Sequence, residues 1–259
     1  MGIADGTRFL LATLFFCGIV IFVMIRSARS GKQFTIRRIA GLDAIEEAVG
    51  RATEMGRPIH YTPGFGDVNT DVAPQTFAGL SMLAYVTELT AKYDATLIVT
   101  VRAPNVFPMA QEIVRQAYLT TGKADKFHED TVRFLSDAQL AWAAGVMGIM
   151  FREKVAANIM LGFFFAESLL FAEAGAQVGA IQIAGTANMA QIPFFVAACD
   201  YTLIGEELYA GGAYLSRDPI RVGSLVGQDY VKVVTLGFIV VGAFLATANN
   251  PWLTNLMRK

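Results

Sequence analysis

Two uncharged apolar runs, Phe9 to Ile25 and Val233 to about Ala248, stand near opposite ends of the chain, with roughly 200 more water-compatible residues between them. No other feature narrows the possible folds as much. Each run approaches the length that crosses a hydrocarbon core as a helix, whereas the interior must satisfy its backbone within an aqueous body. The first run spans about 17 residues and is bounded by Arg8 and Arg26, whose stems can carry their charges to the interfaces. The expected organisation is a transmembrane helix at 9–25, a central domain at 33–228 and a second transmembrane helix at 231–250.

A cleaved signal peptide is the competing reading of the first run, which also has a basic start and an apolar core. The residues after the run argue against cleavage: there is no small-x-small site with a neutral mature start, but a basic stretch, Arg26, Arg29, Lys32, Arg37 and Arg38. Basic residues are retained on the cytoplasmic side, so this cluster, with Arg217, Arg221 and Lys232 before the second run, predicts a central domain facing the cytoplasm from the cell (inner or plasma) membrane. Arg258 and Lys259 count against that orientation, while Trp252 suits an interfacial anchor.

Hydrophobic residues make up 54% of the chain and mean hydropathy is +0.45, values the two runs partly explain. The formal net charge of −1 gives no electrostatic case for nucleic acid as a partner. The basic cluster fits anionic lipid headgroups better, so membrane lipid is an expected partner. Cys17 and Cys199 have neither the number nor the spacing of a disulfide framework or zinc site, and are expected as small buried residues.

Between the runs, short β-type segments alternate with helical ones, the pattern of one α/β domain, Rossmann-like with a mainly parallel sheet. Leu42, Ile45, Val49 and Ala52 recur at helical spacing, with Asp43 and Glu46 as a capping pair. Strands are expected at Pro58–Tyr61, Ala95–Val101, Thr131–Leu135, Ala180–Ile183 and Tyr201–Ile204. Helices are expected at Pro74–Lys92, from an Asn105 cap to Thr120, from a Ser136/Gln139 capping box to Phe151, from Val155 to about Ala174, and from Glu206 towards Ser216, with a Pro193-interrupted helix between. The Val155–Ala172 stretch is long enough to cross a membrane and carries Glu167 near its middle, which opens an ion-path reading. A soluble helix is preferred, because one extra crossing would separate later strands from earlier ones.

Named motifs fail position by position. Gly64-Phe-Gly66 starts like a dinucleotide loop, but Asn69 occupies the third glycine's place. Asp67-Val-Asn69-Thr-Asp71 lacks the turn glycine and terminal acid of a calcium loop. Ser81 lacks the closing glycine of a nucleophile elbow, and His60 and His128 have no metal-binding partner in sequence, so both read as ordinary histidines and no metal or cofactor is indicated.

Position supplies the remaining argument. In a parallel sheet the strand carboxyl ends would carry Thr62, Gly64, Gly66 and Asp67; Arg102 and Asn105; Ser136 and Asp137; Thr186 and Asn188; and Glu206. Open α/β sheets bind ligands at that edge, so these form the candidate ligand site, although Asn105, Ser136 and Thr186 are equally ordinary helix caps. Glu167, among Phe163, Phe164, Phe165 and Leu169, needs a partner, with Arg152, Lys154 or a basic residue of another subunit as candidates. Gly223-Ser-Leu-Val-Gly227 has the small-residue spacing that permits close helix approach within or between protomers.

Arg57-Pro-Ile-His-Tyr-Thr-Pro-Gly-Phe-Gly66, Phe151-Arg-Glu-Lys-Val-Ala-Ala-Asn158, Phe163-Phe-Phe-Ala-Glu-Ser168 and Ala184-Gly-Thr-Ala-Asn188 together resemble an uncharacterised prokaryotic membrane-protein family known only as a domain of unknown function. The resemblance implies a membrane protein and imports no activity. Three functions are compatible with the sequence: a self-associating scaffold or assembly component of a membrane complex, in homo-oligomers and with other subunits; a membrane-bound enzyme or sensor for a small anionic ligand; or an ion-conducting or energy-coupling subunit centred on Glu167.

Overall fold

The computed structural model describes residues 7–32, 34, 39–216, 218–248 and 251–252. Arg37, Arg38, Arg217, Arg258 and Lys259, which bear on orientation, lie outside the described residues. In chain order the elements are α1 (Thr7–Arg29), α2 (Ala40–Met55), β1 (Ile59–Gly64), α3 (Ala73–Lys92), β2 (Leu97–Val101), α4 (Phe107–Thr120), β3 (Val132–Phe134), α5 (Gln139–Glu153), β4 (Ala157–Phe163), α6 (Glu167–Val178), β5 (Ile181–Thr186), α7 (Ile192–Ala198), β6 (Tyr201–Ile204), α8 (Glu206–Ser216) and α9 (Pro219–Thr247). They form two compact units, one holding α1 and α9 and the other Arg38–Ser216.

The second unit is an α/β sandwich around a six-stranded, all-parallel sheet in the order β3-β2-β1-β4-β5-β6. Helices α2, α3, α4 and α8 pack together on one face, and α5, α6 and α7 on the other. Because both faces are covered, the central strands β1 and β4 are buried at every residue and need no polar alternation. Trp142, Met150, Met160, Phe164, Phe171 and Phe195 form the core beneath α5–α7. Each such side chain contributes roughly 1.5–3 kcal/mol by leaving water.

One polar row crosses the sheet. His60 of β1 lies beside Asn158 of β4, which lies beside Gln182 of β5. His60 Nδ1 pairs with Asn158 Oδ1 and Nε2 with Thr100 Oγ1, both at 2.8 Å, while Asn158 Nδ2 donates to Gln182 Oε1 at 3.3 Å. Gln182 Nε2 donates onward to the Ala172 and Ala198 carbonyls. Burial pushes the His60 pKa down to about 4 despite the Asn158 hydrogen bond, so the ring is neutral at pH 7. It is an ordinary core histidine, satisfied on both nitrogens.

The structure corrects several expected elements. Val155–Ala174 is not one helix: residues 157–163 form β4, the centre of the sheet, and α6 begins at Glu167. A run apolar on both faces suits a doubly covered strand as well as a buried helix, and periodicity cannot separate them. The Asp43/Glu46 and Ser136/Gln139 caps do not form, since α2 and α5 have no side-chain cap; Asp43 accepts from Tyr214 Oη, Glu46 from Tyr93 Oη, and Gln139 turns to Glu167. Asn105 does not cap α4 either. Pro193 sits in the first turn of α7 and starts the helix rather than interrupting it, where its missing N–H leaves no bond unmade.

In the other unit, α1 and α9 are both long and apolar enough to cross a membrane. A Cβ added at Gly223 would lie 2.6 Å from Ile25 Cα, and one at Gly227 2.8 Å from Ile21 Cα. The contacts advance along α9 while receding along α1, so the helices are antiparallel. The glycine pair therefore serves contact within the protomer, letting two backbones meet where a side chain would hold them apart.

Candidate functional site

The strand order reverses between β1 and β4: the chain builds outward to β3, crosses back through α5 and resumes beside β1. The loops after these two strands lie at the carboxyl edge where the order reverses, the place where open α/β sheets form a ligand crevice. Here the β1 loop carries Gly64, Phe65, Gly66 and Asp67, and the β4 loop carries Phe163, Phe165 and Glu167.

The two loops are bound closely. The register between β1 and β4 shifts between Thr62 and Gly64, and Phe65 N–H donates to the Phe163 carbonyl at 2.7 Å. Gly64 adopts φ +87°, and a Cβ there would lie 2.3 Å from Phe163 O. Only glycine meets both demands. At Gly66 the same atom would fall 2.3 Å from Thr76 Oγ1, so protein already fills the space a phosphate-cradling glycine would leave open.

The predicted residues fall into separate local groups. Asp67 Oδ1 accepts from Val68 N–H at 2.6 Å and Asn105 Nδ2 reaches its carboxylate at 3.3 Å, which explains why Asn105 does not cap α4. Arg102 donates to the Asp137 carbonyl at 3.1 Å, and its guanidinium carbon lies 3.8 Å from the Phe65 ring centroid, a cation–π stack. Thr62 and Ser136 accept from backbone N–H groups two residues on, Gly64 and Ala138. On β5, Thr186 accepts from Asn188 N–H and donates to Gln75 Oε1, while Asn188 Nδ2 holds the Phe164 carbonyl at 2.8 Å. Glu206 opens α8 on the edge strand's side. The structure thus joins Asp67 with Asn105, Arg102 with Asp137, and Thr186 with Asn188, without gathering all eleven around one point.

Glu167 is only 1% exposed, and its partners differ from those expected. Its Oε1 accepts from Phe165 N–H at 2.9 Å and its Oε2 from Gln139 Nε2, in place of Arg152 or Lys154. The carboxylate occupies the amino end of α6, where the helix dipole favours negative charge, and so blocks that terminus to an external anion. The ion-path reading loses the spanning helix it required.

The aromatic cluster at this edge is not apparent from sequence. Phe65 meets Phe165 at 5.0 Å and Trp142 at 6.4 Å between centroids, and Phe163 meets Phe165 at 4.7 Å, all edge-to-face. Beside it, Arg102 Nε and the Trp142 indole N–H are buried without a hydrogen-bond partner among the described residues. The Phe163-Phe-Phe run is a visible signal, but its unbroken apolar character fits a helix equally well.

Apolar side chains also ring this edge on the α5–α7 side: Leu140 is 75% exposed, Met189 80%, and Phe165, Leu169 and Phe194 about two-fifths each. All lie within the first turns of α5, α6 and α7 or in the loops that feed them. No curated protein and no solved structure matches the chain. Residues 4–257 match the family described as Domain of unknown function (DUF6754), and the chain belongs to that family.

Proposed function

We propose that this protein is a membrane-anchored α/β scaffold that self-associates through its carboxyl edge and serves as an assembly component of a membrane complex. The observation that carries this reading is the apolar rim of Leu140, Phe165, Leu169, Met189 and Phe194, exposed beside loops in which Asp67 is paired with Asn105, Arg102 with the Asp137 carbonyl and Glu167 with Phe165 N–H. Exposed apolar groups gathered in this way are the mark of a surface that a partner covers. Two anchoring helices would confine the domain to a layer along the bilayer, raising its effective concentration and favouring a second copy as that partner. Cross-linking in mild detergent tests it: oligomers should form, and Leu140→Asp with Met189→Asp should dissociate them without lowering the thermal midpoint. A monomer at every concentration would overturn the proposal.

A second reading has its own support, the two N–H groups beside Phe65 that have no partner among the described residues. On that reading the strand-edge loops bind a small anionic ligand, as an enzyme or sensor would, with Arg102 receiving it. A thermal-shift panel of nucleoside monophosphates and dicarboxylates should then show a ligand whose effect Arg102→Gln abolishes while assembly persists. Loss of assembly alone would favour the scaffold.

A further inference from the structure

At the end of α1 a groove of about 590 Å³ is lined by residues that include Phe22, Val23, Arg26, Ser27, Arg29 and Ser30, and by no acid among the described residues. Its two arginines give that lining a charge of +2. Arg26 and Arg29 are both exposed and stand three residues apart, a spacing that puts helical side chains about 5–6 Å from each other at Cβ and sets like charges in repulsion. The ion pairs among the described residues join other groups: Asp218, the acid before α9, accepts from Ile220 N–H and lies 4.0 Å from Arg221. Neither arginine is needed to finish the helix, because the carbonyls of Arg26, Ser27 and Ala28 already accept from the N–H groups of Ser30, Lys32 and Gly31.

The two arginines end a stripe. Phe15, Ile19, Phe22, Arg26 and Arg29 follow one another at intervals of four, three, four and three residues, the spacing of a single helix face, and all five are exposed. At a rise of 1.5 Å per residue Phe15 lies about 16 Å from Arg26, close to one leaflet's half of a ~30 Å hydrocarbon core. A face that is apolar over the depth of one leaflet and cationic at its end divides as a phospholipid does. A lone arginine at an interface only carries its charge to water, whereas two on one face present two planar forks to the same phosphate.

We infer that this groove binds one anionic phospholipid, its phosphodiester held between the Arg26 and Arg29 guanidiniums and one acyl chain lying along Phe22, Ile19 and Phe15. A zwitterionic headgroup would bring its own ammonium against two guanidiniums, so the site selects lipids of net negative charge. The inference rests on α1 crossing the bilayer, as in the membrane-anchored reading, and is independent of self-association at the carboxyl edge. Native mass spectrometry of the full-length protein in mild detergent, titrated with phosphatidylglycerol, phosphatidylcholine and glycerol 3-phosphate, tests it. One phosphatidylglycerol should bind at least tenfold tighter than phosphatidylcholine. Its affinity should fall at least fivefold with Arg26→Gln and Arg29→Gln together, fall with Phe22→Ala, and stay unchanged with Arg51→Gln, which removes an exposed charge on α2. Equal affinity for the two lipids, or phosphatidylglycerol binding unaffected by the paired arginine changes, overturns the proposal; so does glycerol 3-phosphate binding as tightly as the lipid, which would assign the groove to a free phosphate. Flotation with phosphatidylcholine vesicles after an alkaline carbonate wash separates this inference from the reading it rests on. Protein that floats yet shows no preference for phosphatidylglycerol keeps its anchor and loses the site, whereas protein that does not float loses both.

Discussion

Single positions carry much of what holds the α/β unit together, and His60 ties its stability to pH. Its pKa in the fold is about 4, against 6.5 for the free side chain, so between those values the unfolded chain binds more protons than the native one. Stability is therefore complete above about pH 6.5 and falls as pH drops towards 4, by an amount on the order of 3 kcal/mol. Thermal midpoints measured between pH 7 and 4 should show this slope, and His60→Gln should flatten it over that window while lowering the midpoint at pH 7. An equal slope in the variant would assign the acid sensitivity elsewhere. Asp94, held at about 2, titrates below this range and contributes separately. At this scale the sequence was partly legible. It marked His60 as an ordinary histidine, of core or surface, but its neighbours Asn158 and Gln182 lie on strands far apart in the chain, and only the register brings them into one row.

Helices approach the sheet as closely as their smallest residues allow, and two glycines in helices lead to opposite expectations. A Cβ at Gly175 of α6 would lie 2.3 Å from Gln182 Oε1 and 3.2 Å from Asn158 Nδ2, in the middle of the polar row. Gly175→Ala should therefore push α6 off the sheet and cost about 1–3 kcal/mol, read as a lower denaturation midpoint. At Gly50 of α2 an added methyl meets nothing within 4 Å. Gly50→Ala should stabilise by up to ~1 kcal/mol, since alanine loses less backbone freedom in a helix. Equal effects at both positions would contradict the packing described. Element boundaries were readable where local chemistry set them: Pro74 lies in the first turn of α3, which ends at Lys92 as expected, and β6 covers Tyr201–Ile204. They were unreadable at β4, because the cause of its conformation is coverage by helices on both faces, a property of the assembled sandwich. The candidate site suffered similarly. Its residues were correctly placed at strand ends, but whether Asp67 or Arg102 faces a ligand or a neighbouring loop depends on contacts between distant segments.

Two observations about the whole chain, one in each unit, combine into a statement about its ends. The Tyr214 hydroxyl donates to Asp43 at 2.7 Å, tying the last part of α8 to the first turn of α2, so the chain enters and leaves the α/β unit at neighbouring points. Separately, the paired contacts of Gly223 with Ile25 and Gly227 with Ile21 make α1 and α9 an antiparallel pair. If that pair spans the bilayer, as proposed, both termini emerge on one side and residues 39–216 occupy the other. Arg26 and Arg29 lie in the last turn of α1, and Arg221 and Lys232 in the first half of α9, so the expected side for the domain is the cytoplasm. In sealed vesicles of known orientation, a membrane-impermeant maleimide should label Leu140→Cys from the cytoplasmic face only, and epitopes at the two termini should both be cleaved from the opposite face. Cys199 adds little background, because burial and the neighbouring Asp200 raise its thiol to about 12 and keep it protonated. Termini found on different faces would mean that one apolar helix does not cross, and labelling of Leu140→Cys from the side bearing both termini would mean that neither does. The pairing through Gly223 and Gly227 would then be a contact between helices outside the hydrocarbon, where exposed residues such as Leu14, Phe22, Leu236 and Phe244 would need a protein partner in place of lipid.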